Sequence, residues 1–197
     1  MADKYGSFLG LARNEKEGRD FRIHCRDRGS ATVIIAPDGG GIEPGTSEIA
    51  DAIADDDLSF YAFVGIKSRG NRHLHITSTR FDEPRCVAIV SASEKAVSIH
   101  GEDSPGRVIF LGGRDRDHVS RLRAALEERG FCTEIHQRLP GQGEKNICNR
   151  GRSGVGLQLE LSEGLRRSFF ESLSKSGRRK KTQRFWEFVS VVRRVIR

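Results

Sequence analysis

Residues 31–36, Ala-Thr-Val-Ile-Ile-Ala, form an apolar run that ends at Pro37 and opens into a loop, Asp-Gly-Gly-Gly-Ile-Glu-Pro-Gly, at 38–45. A short run apolar on every side chain suits a strand buried on both faces, the environment of a parallel sheet. Thr46, Ser47 and Glu48 then read as a helix start with an acid in its first turn, and Ile49, Ala50, Ile53 and Ala54 carry helical spacing onward. Phe21, Ile23 and Cys25 alternate with Arg22, His24 and Arg26, so residues 21–37 read as a strand pair around a turn. Further strands are expected at 58–66, 96–100, 108–111, 131–136 and 154–161, with helices over 82–93, 117–129 and 163–173 between them. Strands alternating with helices predict an α/β sheet with parallel segments.

With 197 residues the chain fits one domain. No apolar run approaches the roughly 18 residues that cross a bilayer, and residues 1–20 lack the apolar core of a secretory signal. No membrane association is therefore expected, and the protein is expected to be cytoplasmic, or released from the cell without a signal peptide. Cys25, Cys86, Cys132 and Cys148 include no CxxC pair, which excludes a zinc ribbon and a disulfide framework. The net charge of +7 invites a nucleic-acid reading, but its distribution weakens it. Residues 175–197 hold nine cations and one acid, whereas residues 1–174 hold 25 cations and 26 acids. The expected organisation is thus a near-neutral body, 1–174, carrying a basic amphipathic segment, 175–197. In that segment Phe185, Phe188, Val189, Val192, Val195 and Ile196 share one helical stripe that would dock on the body.

Ligands in open α/β sheets bind at the carboxyl ends of strands, and four such places carry unusual chemistry. Asp38 and Glu43 flank the three glycines, whose backbone freedom allows a turn bringing both carboxylates to one point. A solvated turn with Asp38 as its cap is the plainer alternative. His100 closes a strand on the same face as Ser98, where it reads either as a metal ligand or as a hydrogen-bonded core histidine. Two carboxylates and an imidazole plus water would make a catalytic zinc site. In Val-Gly-Leu-Gln-Leu-Glu-Leu-Ser, 155–162, the leucines face one way and Gln158, Glu160 and Ser162 the other. Glu160 is then either a solvated residue on an amphipathic edge strand or a proton acceptor facing a metal. Arg72, His73, His75, Arg80, Arg150 and Arg152 form basic groups suited to carboxylates, or an ordinary charged surface. There is no GxSxG, P-loop, HExxH or GxGxxG segment.

The ordered blocks IIAPDGGGIEPGTSEIADAIA, HLHITSTRFDEP, SIHG, VIFLGG, NICNRGRSGVGLQLELS and GLRRSFF resemble the phage-type poly-γ-glutamate hydrolases, relatives of the zinc carboxypeptidases. The resemblance spans residues 21–172. It implies a single-domain α/β fold, a carboxypeptidase-like mixed sheet with helices on both faces. It also implies a zinc-dependent hydrolase of γ-glutamyl amide bonds, with Asp38, Glu43 and His100 as metal ligands and Glu160 as general base. Block membership makes Asn149, Arg150, Arg80 and His75 substrate contacts, with Arg152 beside them and Arg150 the best placed to steady an oxyanion or hold an α-carboxylate. Position 38 departs from the family, being Asp where His is expected. Aspartate can ligate zinc, but oxygen ligands shift preference towards other divalent metals and temper the acidification of bound water. The expected partner is poly-γ-glutamate or a similar polycarboxylate acting on a monomer. The alternatives are another amide substrate, or an anion- or nucleic-acid-binding protein that has lost its metal and stacks bases on Phe185, Trp186 and Phe188.

Overall fold

In the computed structural model, which describes residues 3–197, seven strands make one mixed sheet. They are β1 (Phe21–Arg26), β2 (Thr32–Gly40), β3 (Ser59–Gly65), β4 (Lys95–Glu102), β5 (Val108–Gly113), β6 (Cys132–Glu134) and β7 (Leu157–Ser162). Their order across the sheet is β1-β3-β2-β4-β7-β5-β6. The central strands β3, β2, β4 and β7 run parallel, β1 is antiparallel to β3, β5 is antiparallel to β7, and β6 is parallel to β5. Residues 21–26 and 31–37 therefore do not pair with each other; β3 lies between them. The reason is in the side chains: alternate residues of β1 are charged and need an outer position, whereas β2 is apolar on both faces and belongs inside.

Six helices cover the sheet: α1 (Phe8–Ala12), α2 (Thr46–Ala54), α3 (Pro84–Ala92), α4 (Arg116–Glu128), α5 (Glu163–Phe169) and α6 (Gln183–Ile196). Strand alternation divides the apolar residues between two cores. Ile34, Ala36, Phe60, Ala62, Val97, Ile99, Leu157, Leu159 and Leu161 face α2, α4, α5 and α6. Val33, Ile35, Tyr61, Phe63 and Ala96 face the thinner layer of α1, α3 and the segment 74–81. The smaller layer caps β2 and β3, and the polar side of β4 and β7 beyond it lines a cavity. In β7, which the pattern left open as a solvated edge, Glu160 is only 7% exposed because the strand sits between β4 and β5.

The segment after Gly177 enters the core. All six stripe residues of α6 are buried, so Phe185 and Phe188 are not available to stack on bases, and only Trp186 is exposed, at 53%. Its cations also meet the body: Arg178 bonds Glu48, Lys180 bonds Glu171, and Arg193 and Arg197 share Asp57. No helix among the described residues is long and apolar enough to cross a membrane.

Arg166, on α5, is 2% exposed. Its guanidinium donates to Leu161 O at 2.9 Å, Pro44 O at 2.7 Å and Glu102 O at 3.0 Å. These carbonyls belong to the ends of β7, the glycine loop and β4. Gly101 has no side chain because a Cβ would lie 2.7 Å from the Arg166 guanidinium carbon. Arg166→Met, which keeps the aliphatic stem but orphans three carbonyls, should lower unfolding free energy by about 3–5 kcal/mol. Urea melts would show it; a loss within about 0.5 kcal/mol, the size of an ordinary surface change, would mean that the three ends hold without this clamp.

Candidate active site

β2 carries the first site residue into place through an irregularity. Its register with β3 shifts between Ala36 and Gly39, around Pro37, which has no N–H to give to a neighbour. Gly40 adopts φ +69°, and a Cβ there would approach Gly65 O to 2.5 Å. The loop then folds back, Glu43 N donating to Asp38 O at 2.9 Å. The two carboxylates thus converge, as the glycine spacing predicts.

Asp38, Glu43 and His75 each bring one ligating atom within 4.8 Å of the others. His100 joins them, its Nδ1 3.3 Å from Asp38 Oδ2 and 3.8 Å from Glu43 Oε2, while His75 Nε2 lies 3.9 Å from Asp38 Oδ2. His75, expected to touch substrate, is therefore placed in the same cluster as the three expected ligands. Neighbours fix both rings. Ser98 Oγ and Ser78 Oγ lie 2.7 and 3.2 Å from His100 Nε2, which turns Nδ1 towards the carboxylates. Asp3 Oδ1 lies 2.7 Å from His75 Nδ1 and leaves Nε2 facing Asp38; a carboxylate behind an imidazole is the usual support of a metal-binding histidine.

Both carboxylate oxygens of Asp38 are buried and without a hydrogen-bond partner. A buried carboxylate that accepts no hydrogen bond is disfavoured, even with the His100 and His75 rings 3.3 and 3.9 Å away. Two carboxylates and two imidazole nitrogens around that orphaned group fit a divalent cation in kind and number. The electrostatics agree. Burial, then the charges of Asp38 and Glu160, pushes the Glu43 carboxyl well above the ordinary carboxylate range. The Asp38 charge raises His75 against the effect of its own burial, helped by the Asp3 hydrogen bond. Burial would lower His100, but Glu160 and Asp38 outweigh it and hold the ring above its ordinary value.

Glu160 sits beside His100 in register on the neighbouring strand. Burial raises its carboxyl, His100 opposes that, and the Asp38 charge adds to it. One of its oxygens is held: Gln158 Nε2 donates to Glu160 Oε1 at 2.9 Å, and Asn146 Nδ2 orients Gln158 by donating to its Oε1 at 2.8 Å. These groups, with His136, Arg138 and Arg72, line a cavity of 710 Å³.

Other expected contacts lie elsewhere. All three guanidinium nitrogens of Arg150 donate to backbone carbonyls, of Lys145, Phe81 and Thr79, so it braces loops instead of facing the cavity. The Asn149 amide donates to Gly141 O and Gly143 O and its oxygen accepts from Gly156 N, which makes it an internal brace as well. Arg152 pairs with Glu94 at the far end of β4. Arg80 bonds Asp3 at 3.1 Å, behind His75. Asp3, Ser78, Asn146, His136 and Arg138 carry no signal in the sequence: four lie in loops, and His136 closes an expected strand with no candidate ligand at a telling spacing.

A sequence model of the poly-gamma-glutamate hydrolase family matches residues 5–191. The chain is 37% identical to the SPbeta prophage-derived UPF0714 protein YoqZ of Bacillus subtilis, over 99% of this chain and 72% of the relative. A bacteriophage poly-gamma-glutamate hydrolase superposes with TM-score 0.96 at 32% identity, covering 99% of this chain and 97% of that one. A zinc-free structure of YndL superposes with TM-score 0.93 at 37% identity, covering 99% and 98%. On its sequence, its seven-stranded mixed sheet and its similarity to these relatives, the chain belongs to the poly-γ-glutamate hydrolase family.

Proposed function

We propose that this chain hydrolyses γ-glutamyl amide bonds in poly-γ-glutamate, using a divalent metal, zinc in the first instance, held by Asp38, Glu43, His100 and His75. The observation that carries the reading is the Asp38 carboxylate, buried and without a hydrogen bond among Glu43, His75 and His100. The similarity to a phage hydrolase of that polymer supports the substrate. Bound there, the metal supplies Lewis-acid polarisation of the scissile carbonyl and of the attacking water.

The chain's own residues do the rest. Glu160 accepts the proton of the attacking water and passes it to the amine that leaves. Gln158 holds one Glu160 oxygen, so the carboxylate pivots little between these two transfers. Ser98 and Ser78 keep the His100 ring in one orientation, and Asp3 does the same for His75. Burial around Glu160 keeps bulk water from competing for the proton.

Glu160→Gln keeps the shape and removes the proton acceptor. Shortening of poly-γ-glutamate should fall about 100- to 10,000-fold, while the metal measured by elemental analysis stays the same. Full activity would remove Glu160 from the mechanism. A second outcome concerns position 38. Its carboxylate, with that of Glu43, cancels the charge of a divalent ion, which leaves less field to acidify water. Asp38→His should bind zinc more tightly in a competition titration and cleave faster. Unchanged zinc binding in that variant would show that position 38 is not a ligand.

A further inference from the structure

With Arg150 engaged by three carbonyls, a different cation must read the carboxylate that every γ-linked glutamyl unit carries. The cavity wall opposite the glycine loop is the turn after β6. Its residue His136 packs edge-on against Phe110, ring centres 4.9 Å apart. His136 Nδ1 accepts the backbone N–H of Arg138 and of Leu139, each at 3.1 Å. On the far side of the turn Gly113 N donates to Pro140 O at 2.9 Å. The turn is thus pinned on both flanks, and of the residues it lends to the cavity lining Arg138 is the guanidinium.

Among the described residues Arg138 is the one arginine or lysine lining the cavity that has no carboxylate partner. Arg72, the other, is closed in a two-point pair with Asp103 at 2.8 and 2.6 Å. A guanidinium offers a planar pair of N–H donors matched to a carboxylate. Asp3, Glu43, Glu102, Asp103 and Glu160 also line the cavity and repel a carboxylate, while the imidazoles of His75 and His100 are turned to Asp38 and Glu43. A polymer carboxylate therefore finds one favourable place on this wall. Resting on the hydrolase reading above, we propose that Arg138 is the specificity-determining residue that binds an α-carboxylate of the γ-linked chain, and that His136 is its positioning residue.

The test uses the full chain and an oligo-γ-glutamate, compared with the same oligomer methyl-esterified on its α-carboxylates. Arg138→Ala should raise KM for the free acid about tenfold, the worth of one charge-assisted pair, and leave kcat nearly unchanged. Arg138→Lys should recover part of the loss, and on the ester Arg138→Ala and the wild type should coincide. His136→Ala should raise KM alone, yet add nothing in the Arg138→Ala background. Calorimetric binding of the free acid to Glu160→Gln, with and without Arg138→Ala, reads the same contact without turnover. If the wild type leaves the polymer uncut, the hydrolase reading fails while a tenfold difference in that binding still upholds Arg138. An equal KM for Arg138→Ala and wild type on the free acid, the same loss on ester and acid, or no difference in binding, overturns the proposal. An additive effect of His136→Ala overturns the positioning role.

Discussion

The site depends first on one buried guanidinium. Arg166 joins the carbonyls of Pro44, Glu102 and Leu161, and each lies one or two residues from a group that matters: Glu43, His100 beyond Gly101, and Glu160. The glycine loop, β4 and β7 are far apart in sequence; β4 and β7 pair in register to their ends, and Arg166 ties the loop to both. A lysine could not do this, because one ammonium lacks the planar spread of donors that three separate carbonyls demand. The strand ends then hold their spacing before any ligand arrives, which is what catalytic geometry requires.

Within that frame the charges are arranged so that the protein alone is unbalanced. Asp38 and Glu160 are buried and Glu43 half-buried beside them, and Glu43 is driven towards its neutral form as a result. The two histidines respond in the opposite sense, held above their ordinary values by the same carboxylates. Packing of this kind costs stability unless a positive charge fills the centre. The two imidazoles that face Asp38 offset part of its charge, yet neither oxygen accepts a hydrogen bond of good geometry, so the cluster stays short of the pairing that a purely structural role would call for.

How far the sequence discloses this follows from the range of each interaction. The turn of residues 38–45 was legible because its glycines, acids and following helix all lie within one local unit, and the alternation of β7 named the face on which Glu160 sits. Strand order was not: nothing local in residues 21–26 says that β3 comes between them and β2. The errors over Arg150, Asn149 and Arg152 share one cause. Their sequence neighbours mark a loop that approaches the site, but whether a side chain faces a cavity or a carbonyl depends on chain that arrives from elsewhere. Asp3 shows the same limit more sharply, acting on His75 across 72 positions of sequence.

The net charge is where sequence and structure differ most in meaning. Counting cations in residues 175–197 marks a strongly basic segment, and the fold sets several of them against acids of the body, Glu48, Asp57 and Glu171. Paired charges contribute little to a long-range field, because the acid beside each cation cancels it beyond a Debye length of about 8–10 Å. Attraction of a polyanion by the segment itself is accordingly weaker than its nine cations imply, although the net charge stays +7. Binding then has to come from contacts made at short range, inside a cavity whose floor is acidic. The proposed carboxylate contact would rest on Arg138, the cavity guanidinium that among the described residues has no counter-ion, and discrimination would follow from where the fold leaves that cation unpaired.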